Sequence, residues 1–149
     1  MAYVDVHARD LDVPVEDVWS VVSAMGGDPR RYPPYPLWRV RGLLDRLVGG
    51  PGFRITGPGR RPVPGDELDF WEVESADFPT LQVRALTKLP GTARLEFHVE
   101  PQGAGSRLVV RNTFAPSGLA GHAYWWGQLA AHKAVFALMT NRLVRLIQP

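Results

Sequence analysis

The chain has no cysteine, and this one absence removes disulfides, thiolate metal sites and a cysteine nucleophile together. It also points to a reducing compartment. No stretch comes near the roughly 20 consecutive apolar residues that cross a bilayer. The opening MAYVDVHARD lacks a basic segment followed by an apolar run, so the expectation is a soluble, cytoplasmic protein that engages no membrane. Lysine is scarce, occurring only as Lys88 and Lys133, and arginine supplies the remaining cations. These are spread among acidic residues to a formal net charge of +2. The pI of 9.3 therefore reflects no basic stripe of the kind that grips nucleic acid. The preference for Arg, Gly, Pro and Ala reads as the coding bias of a GC-rich genome. There is no G-x-S-x-G elbow for a serine hydrolase. GPGRRPVPG offers glycines and arginines, but its prolines remove backbone donors and no helix start follows, so it is a poor phosphate cradle. GAGSRL at 103–108 lacks the third glycine and the helix of a dinucleotide loop. The histidines at 7, 98, 122 and 132 show no ligand spacing such as i, i+4, so neither a metal nor a cofactor is expected.

What is present is the material of one domain over residues 1–149, long enough to bury a core and leave a pocket. AYVDVHA alternates Val4, Val6 and Ala8 against Tyr3, Asp5 and His7, the period of a half-buried strand. DVPVEDVWSVVSAMGG has a proline near its start, acids at Glu16 and Asp17 to suit the helix dipole, and Gly26-Gly27 to stop it. The prolines make RRYPPYP irregular, and LWRVRGLLDRLVGGPG follows as a second helix closed by Gly49 and Gly50. Four strand-like segments come next, DELDFWEVES, LQVRALTK, ARLEFHVE and SRLVVRNTF. Their connections are short, so consecutive strands should pair as an antiparallel meander. A long helix from about Gly118 ends the chain.

Strand parity separates two faces. Leu108, Val110, Asn112 and Phe114 share one, and carrying this through the hairpins adds Leu95, Phe97 and Val99, then Leu81, Val83, Ala85 and Thr87, then Leu68, Phe70 and Glu72. That set is the apolar interior. The other face holds Trp71, Arg84, Arg94, Glu96 and His98, with His7 assigned there too, and reads as solvated. At about 100° per residue the last helix lines up Trp125, Leu129, His132, Phe136, Met139, Leu143 and Ile147 in one stripe, with Lys133 around the back. His132 should therefore face the same interior as Phe70, Phe97 and Phe114.

A strand, two short helices, an antiparallel run and one long C-terminal helix form an order that resembles the START-like, or SRPBCC, helix-grip superfamily, which includes birch-pollen-allergen-like proteins and polyketide cyclases. VDVHARDLDVPVEDVWSVVS looks like its strand-to-helix opening. LWRVRGLLDRLVGGPG, GDELDFWEVE, TKLPGTARLEF and GLAGHAYWW with the following His and Phe look like an uncharacterised family within it, often fused behind a short-chain-dehydrogenase-like domain. Leu86 and Val110 depart from that family's pattern, where an acid and a glutamine are usual. The resemblance implies an α+β helix-grip fold, a curved antiparallel sheet wrapped around the C-terminal helix, with a cavity between them for a small apolar molecule.

Polar groups assigned to that cavity are few. His132 is either a core histidine bonded to a carbonyl or an acid–base group facing a ligand. Glu72 is its candidate catalytic partner, or else an exposed residue at the rim. Asn112 and Thr87 could orient a carbonyl or hydroxyl, while Phe70, Phe97, Phe114, Tyr124, Trp125, Leu129 and Phe136 would form the apolar wall. Two function classes follow. One is an enzyme of the cyclase, dehydratase or isomerase kind, in which a positioned histidine is worth roughly 10²–10⁴-fold in rate; the other is a carrier or sensor of an apolar ligand. Trp126, Ala130 and Ala137 could add a self-association patch, leaving a monomer or a homodimer.

Overall fold

The computed structural model describes residues 2–24, 35–47, 49–50, 61–68, 71–86 and 89–148. The elements run β1 (Tyr3–Leu11), α1 (Val15–Val22), α2 (Tyr35–Leu47), β2 (Glu67–Leu68), β3 (Trp71–Asp77), β4 (Thr80–Ala85), β5 (Gly91–Gln102), β6 (Gly105–Pro116) and α3 (Gly118–Ile147). Every strand pair is antiparallel, and the six strands lie in the order β1-β6-β5-β4-β3-β2. The first strand thus closes on the last, at one edge of the meander. This is the expected helix-grip arrangement.

The helices begin and end for local reasons. Pro14 precedes α1 in extended geometry, and its carbonyl accepts from the Asp17 and Val18 amides. Glu16 and Asp17 face the positive end of that helix. Gly49, at a φ of 87°, lets the chain turn back after α2, where the Gly50 amide reaches the Asp45 carbonyl. Ser117 caps α3 from extended geometry, and its amide is held by the Pro90 carbonyl. Within the first turns of α3, a side chain at Gly121 would run into that same carbonyl, so only glycine lets the helix lie this close to the β4–β5 connection.

The core lies between the sheet and the faces of α1 and α3. Val18 and Val22 meet Leu81, Val83, Leu95, Phe97, Val99, Leu108 and Val110 from the sheet, and Met139 and Leu143 from α3, all fully or nearly fully buried. Burying each such side chain contributes roughly 1.5–3 kcal/mol. Lys133 is exposed, as the stripe on α3 requires.

Two parts of the parity reading are corrected. DELDFWEVES is not one strand. Leu68 lies across from Trp71 in an antiparallel pair, so the chain reverses between β2 and β3 and both residues share the inner face. The pairing of β3 with β4 shifts register between Val73 and Ser75, so Trp71 and Val73, not Glu72, share the face of Val83; they are buried, at 4% and 1% exposure, and Glu72 is turned outward. There it pairs with Arg84, its neighbour across β4, at 2.8 Å, both side chains being more than a third exposed. The second correction concerns β1. Its valines, Val4 and Val6, are the exposed residues, at 56% and 47%, while Tyr3, Asp5 and His7 point inward.

Candidate functional site

The inward turn of β1 follows from register. Tyr3 lies opposite Phe114, Asp5 opposite Asn112 and His7 opposite Val110. Directly paired residues of antiparallel strands share a face. Once Phe114, Asn112 and Val110 face the core, the polar alternation of β1 must as well. The strand's own pattern suggested the reverse, because a row of valines on an edge strand looks like a core row. The signal that could have located Asp5 and His7 was the pairing of β1 with β6, not β1 itself.

These inward groups meet α3. The Tyr3 ring stacks on Trp125, with centroids 5.1 Å apart and planes 8° from parallel, and its hydroxyl shares a 2.7 Å hydrogen bond with His122 Nδ1. Asp5 Oδ2 lies 2.9 Å from His7 Nε2 and 3.7 Å from His132 Nε2. All three side chains are nearly buried, at 11% exposure for Asp5 and 14% for each histidine. The His132 ring sits between Trp125, at 5.0 Å, and Phe136, at 4.7 Å. Its Nε2 has no hydrogen-bond partner, and neither has Asn112 Nδ2, the amide nitrogen beside Asp5 on the next strand. A core histidine bonded to a carbonyl is therefore not what the structure contains among the described residues.

The electrostatics of His132 follow from this setting. Loss of hydration among aromatic rings holds its pKa down from 6.5 to about 4. The Asp5 carboxylate pulls the other way, and His7 and Lys133 add to the lowering. The imidazole is thus neutral at pH 7. A lone pair facing the carboxylate would be repelled, so Asp5 favours the tautomer with hydrogen on Nε2 and leaves Nδ1 as the basic nitrogen. His7 in turn holds Asp5.

A cavity of about 360 Å³ opens against this cluster. Its wall includes Leu44 of α2, Trp71 and Ala85 from the β3–β4 hairpin, Leu89, Ala93, Arg94, Asn112, Thr113 and Phe114, then Tyr124, Trp125, Gln128, Ala131, His132, Val135 and Phe136 from α3. Asp5 and His7 are absent from the wall and stand behind His132. Among the residues expected from sequence, the structure brings together His132, Asn112, Phe114, Tyr124, Trp125 and Phe136. It does not bring Glu72, which lies on the outer face of the sheet. Phe97 is fully buried deeper in the core and Leu129 is half-buried, and neither lines the cavity. Phe70 and Thr87 lie outside the described residues. Trp71, expected outside, is part of the wall. Among the described residues no cluster of His, Asp or Glu is arranged to hold a metal ion.

Residues 1–139 match the family described as protein of unknown function, DUF2867. The chain belongs to that family. No curated protein sequence matches it. Among solved structures, the KanY protein superposes with a TM-score of 0.68 at 12% identity, over 100% of this chain and 99% of that one. CalU16 from Micromonospora echinospora gives 0.60 at 14% identity, over 99% of this chain and 75% of that one. Norcoclaurine synthase from Thalictrum flavum gives 0.60 at 17% identity, over 99% and 94%. At these identities the likeness is one of fold: the DUF2867 chain has the helix-grip fold.

Proposed function

We propose that the protein binds a small apolar or aromatic molecule in the cavity between sheet and α3 and carries out acid–base chemistry on it, with His132 as the proton acceptor. The observation that carries this reading is the row His132, Asp5, His7, in which a neutral imidazole on the cavity wall is backed by a nearly buried carboxylate that is itself held by a second histidine. An apolar carrier has no use for that row. Asp5 is a positioning residue: it fixes the tautomer and stabilises the imidazolium formed when His132 takes a proton, the role such a carboxylate plays behind other catalytic histidines. Fold likeness to an enzyme such as norcoclaurine synthase is compatible with catalysis, but the proposal rests on the side chains.

The carrier reading keeps one observation in its favour, the aromatic and aliphatic character of most of the wall. A single set of variants tests whether the cavity is the binding site on which both readings depend. Because His132 Nε2 bonds to nothing, His132→Phe should melt at an unchanged or higher temperature and still bind naphthalene, followed by quenching of tryptophan fluorescence. Ala93→Phe, which fills the cavity from β5, should abolish that binding. If naphthalene binds the Ala93→Phe variant as well as the original chain, the cavity is not the binding site and the proposal fails.

A further inference from the structure

The two edges of the sheet are finished differently. A free edge presents amides and carbonyls that template pairing with another strand, and proteins guard such edges with very short strands, bulges, proline or charge. The β2 edge is only Glu67 and Leu68. The β1 edge runs for nine residues, roughly 30 Å, in continuous register with β6 and without proline. Among the described residues no strand lies beyond it. Its outer row is exposed and starts apolar, with Ala2 and then Val4, Val6 and Ala8; the charge comes only at the far end, where Asp10 is held by Arg107 at 2.9 Å. The long helix extends this surface. Trp126 meets Tyr3 edge-on at 5.6 Å and Arg9 Nη2 donates to Asn141 Oδ1 at 3.2 Å, so α3 runs along β1. On that flank Leu119 is 88% and Trp126 64% exposed. At about 100° per residue Ala130, Lys133 and Ala137 continue the same flank.

We infer that β1 pairs antiparallel with β1 of a second copy of this chain, about a two-fold axis at Val6, so that the two sheets become one and their α3 helices lie side by side. A two-fold contact joins the same patch on both copies and must be self-complementary. The strand is so in this register. On the outer row Val6 meets Val6 and Val4 meets Ala8; on the inner row Asp5 falls opposite His7 of the partner subunit, and the reverse. An axis at Asp5 would oppose two carboxylates, and one at His7 would set Val4 against Asp10. Ala130 and Ala137 leave room for the neighbouring helix, and Lys133 carries its charge outward on a flexible stem. The contact also reaches the site. Asp5 already stands between His7 and His132, and the partner's His7 brings a further imidazole to the carboxylate that backs His132.

Analytical ultracentrifugation of the full chain should find a particle of twice the 16.6 kDa of one copy. Hydrogen exchange should show the β1 amides growing more protected as concentration rises. Val6→Glu and Val6→Lys alter an exposed side chain, so both should stay folded. Each should weaken the dimer by roughly 10²-fold or more, because the axis sets the new charge against itself. Mixed in equal amounts, the two variants should dimerise again. A chain that sediments as a monomer up to millimolar concentration overturns the inference. So does a dimer that both variants keep, and a mixture that stays monomeric overturns the axis at Val6. Should either variant fail to fold, the exchange measurement on the original chain decides: a dimer that forms with no added protection of β1 overturns the pairing. A dimer lost in Trp126→Ala yet kept in both Val6 variants assigns association to the helix alone and overturns it too.

Discussion

A histidine kept neutral by burial makes acid the weak side of this fold. In the folded chain His132 holds its proton only below about pH 4, whereas in the unfolded chain it does so below about 6.5. Between those values the unfolded state binds more protons, so stability rises with pH across the window and is lost as pH falls through it. The difference corresponds to about 3 kcal/mol at most, an upper figure because the side chain keeps some contact with solvent. Urea denaturation at pH 7 and at pH 4.5 should show the loss, and His132→Phe should remove most of it; equal acid sensitivity in that variant would assign the loss elsewhere. Asp5→Asn tests the same cluster from the other side. Without the carboxylate that pulls the pKa of His132 upward, its NMR titration midpoint should move lower still, while His7 loses its 2.9 Å contact with the carboxylate.

At the level of elements, the outer face of the sheet and the inner face of α3 should respond very differently to substitution. Glu72 and Arg84 form a cross-strand pair in partial contact with water, so Glu72→Gln or Arg84→Ala should change stability by well under about 1 kcal/mol. Leu143, fully buried on α3 against the sheet, should cost about 2–5 kcal/mol as Leu143→Ala. Thermal melts of the three variants check both statements. Glu72→Gln should also leave ligand binding and turnover unchanged, since its carboxylate points away from the cavity. The α3 stripe was legible from spacing alone because a 30-residue helix repeats its pattern many times, so single exceptions such as Leu129 do not hide the buried face. The two-residue strand β2 offers no such repetition.

For the whole molecule, the cavity links ligand to fold stability. A ligand at 100 times its dissociation constant stabilises the folded state by about 2.7 kcal/mol. In a domain of this size each kcal/mol raises the melting temperature by about 2–4 °C. Saturating naphthalene should therefore raise it by several degrees in the original chain and not in Ala93→Phe, a comparison that differential scanning fluorimetry makes directly. Among the described residues no helix is long and apolar enough to cross a membrane.

Periodicity and short connections were enough for the order of the elements, and the family resemblance supplied their helix-grip arrangement. Local patterns set each helix and most strands, short connections left little choice but an antiparallel meander, and the stripe containing His132 had only the sheet to bury against. Asn112 and Phe114 were placed inward for the same reason: β6 is a long central strand whose two faces differ clearly in polarity. The partner of His132 could not be read this way. Glu72 was misplaced because a register shift within β3, between Val73 and Ser75, changes parity by one, so the residues before it lie on the opposite faces from those that Leu81 and its partner Ala76 imply. Asp5 and His7 went unseen because an edge strand with valines on its outer face resembles one with valines inside. Their inward direction depends on pairing with β6 more than 100 residues away, and only the folded sheet brings Asp5 to within 3.7 Å of the histidine on α3.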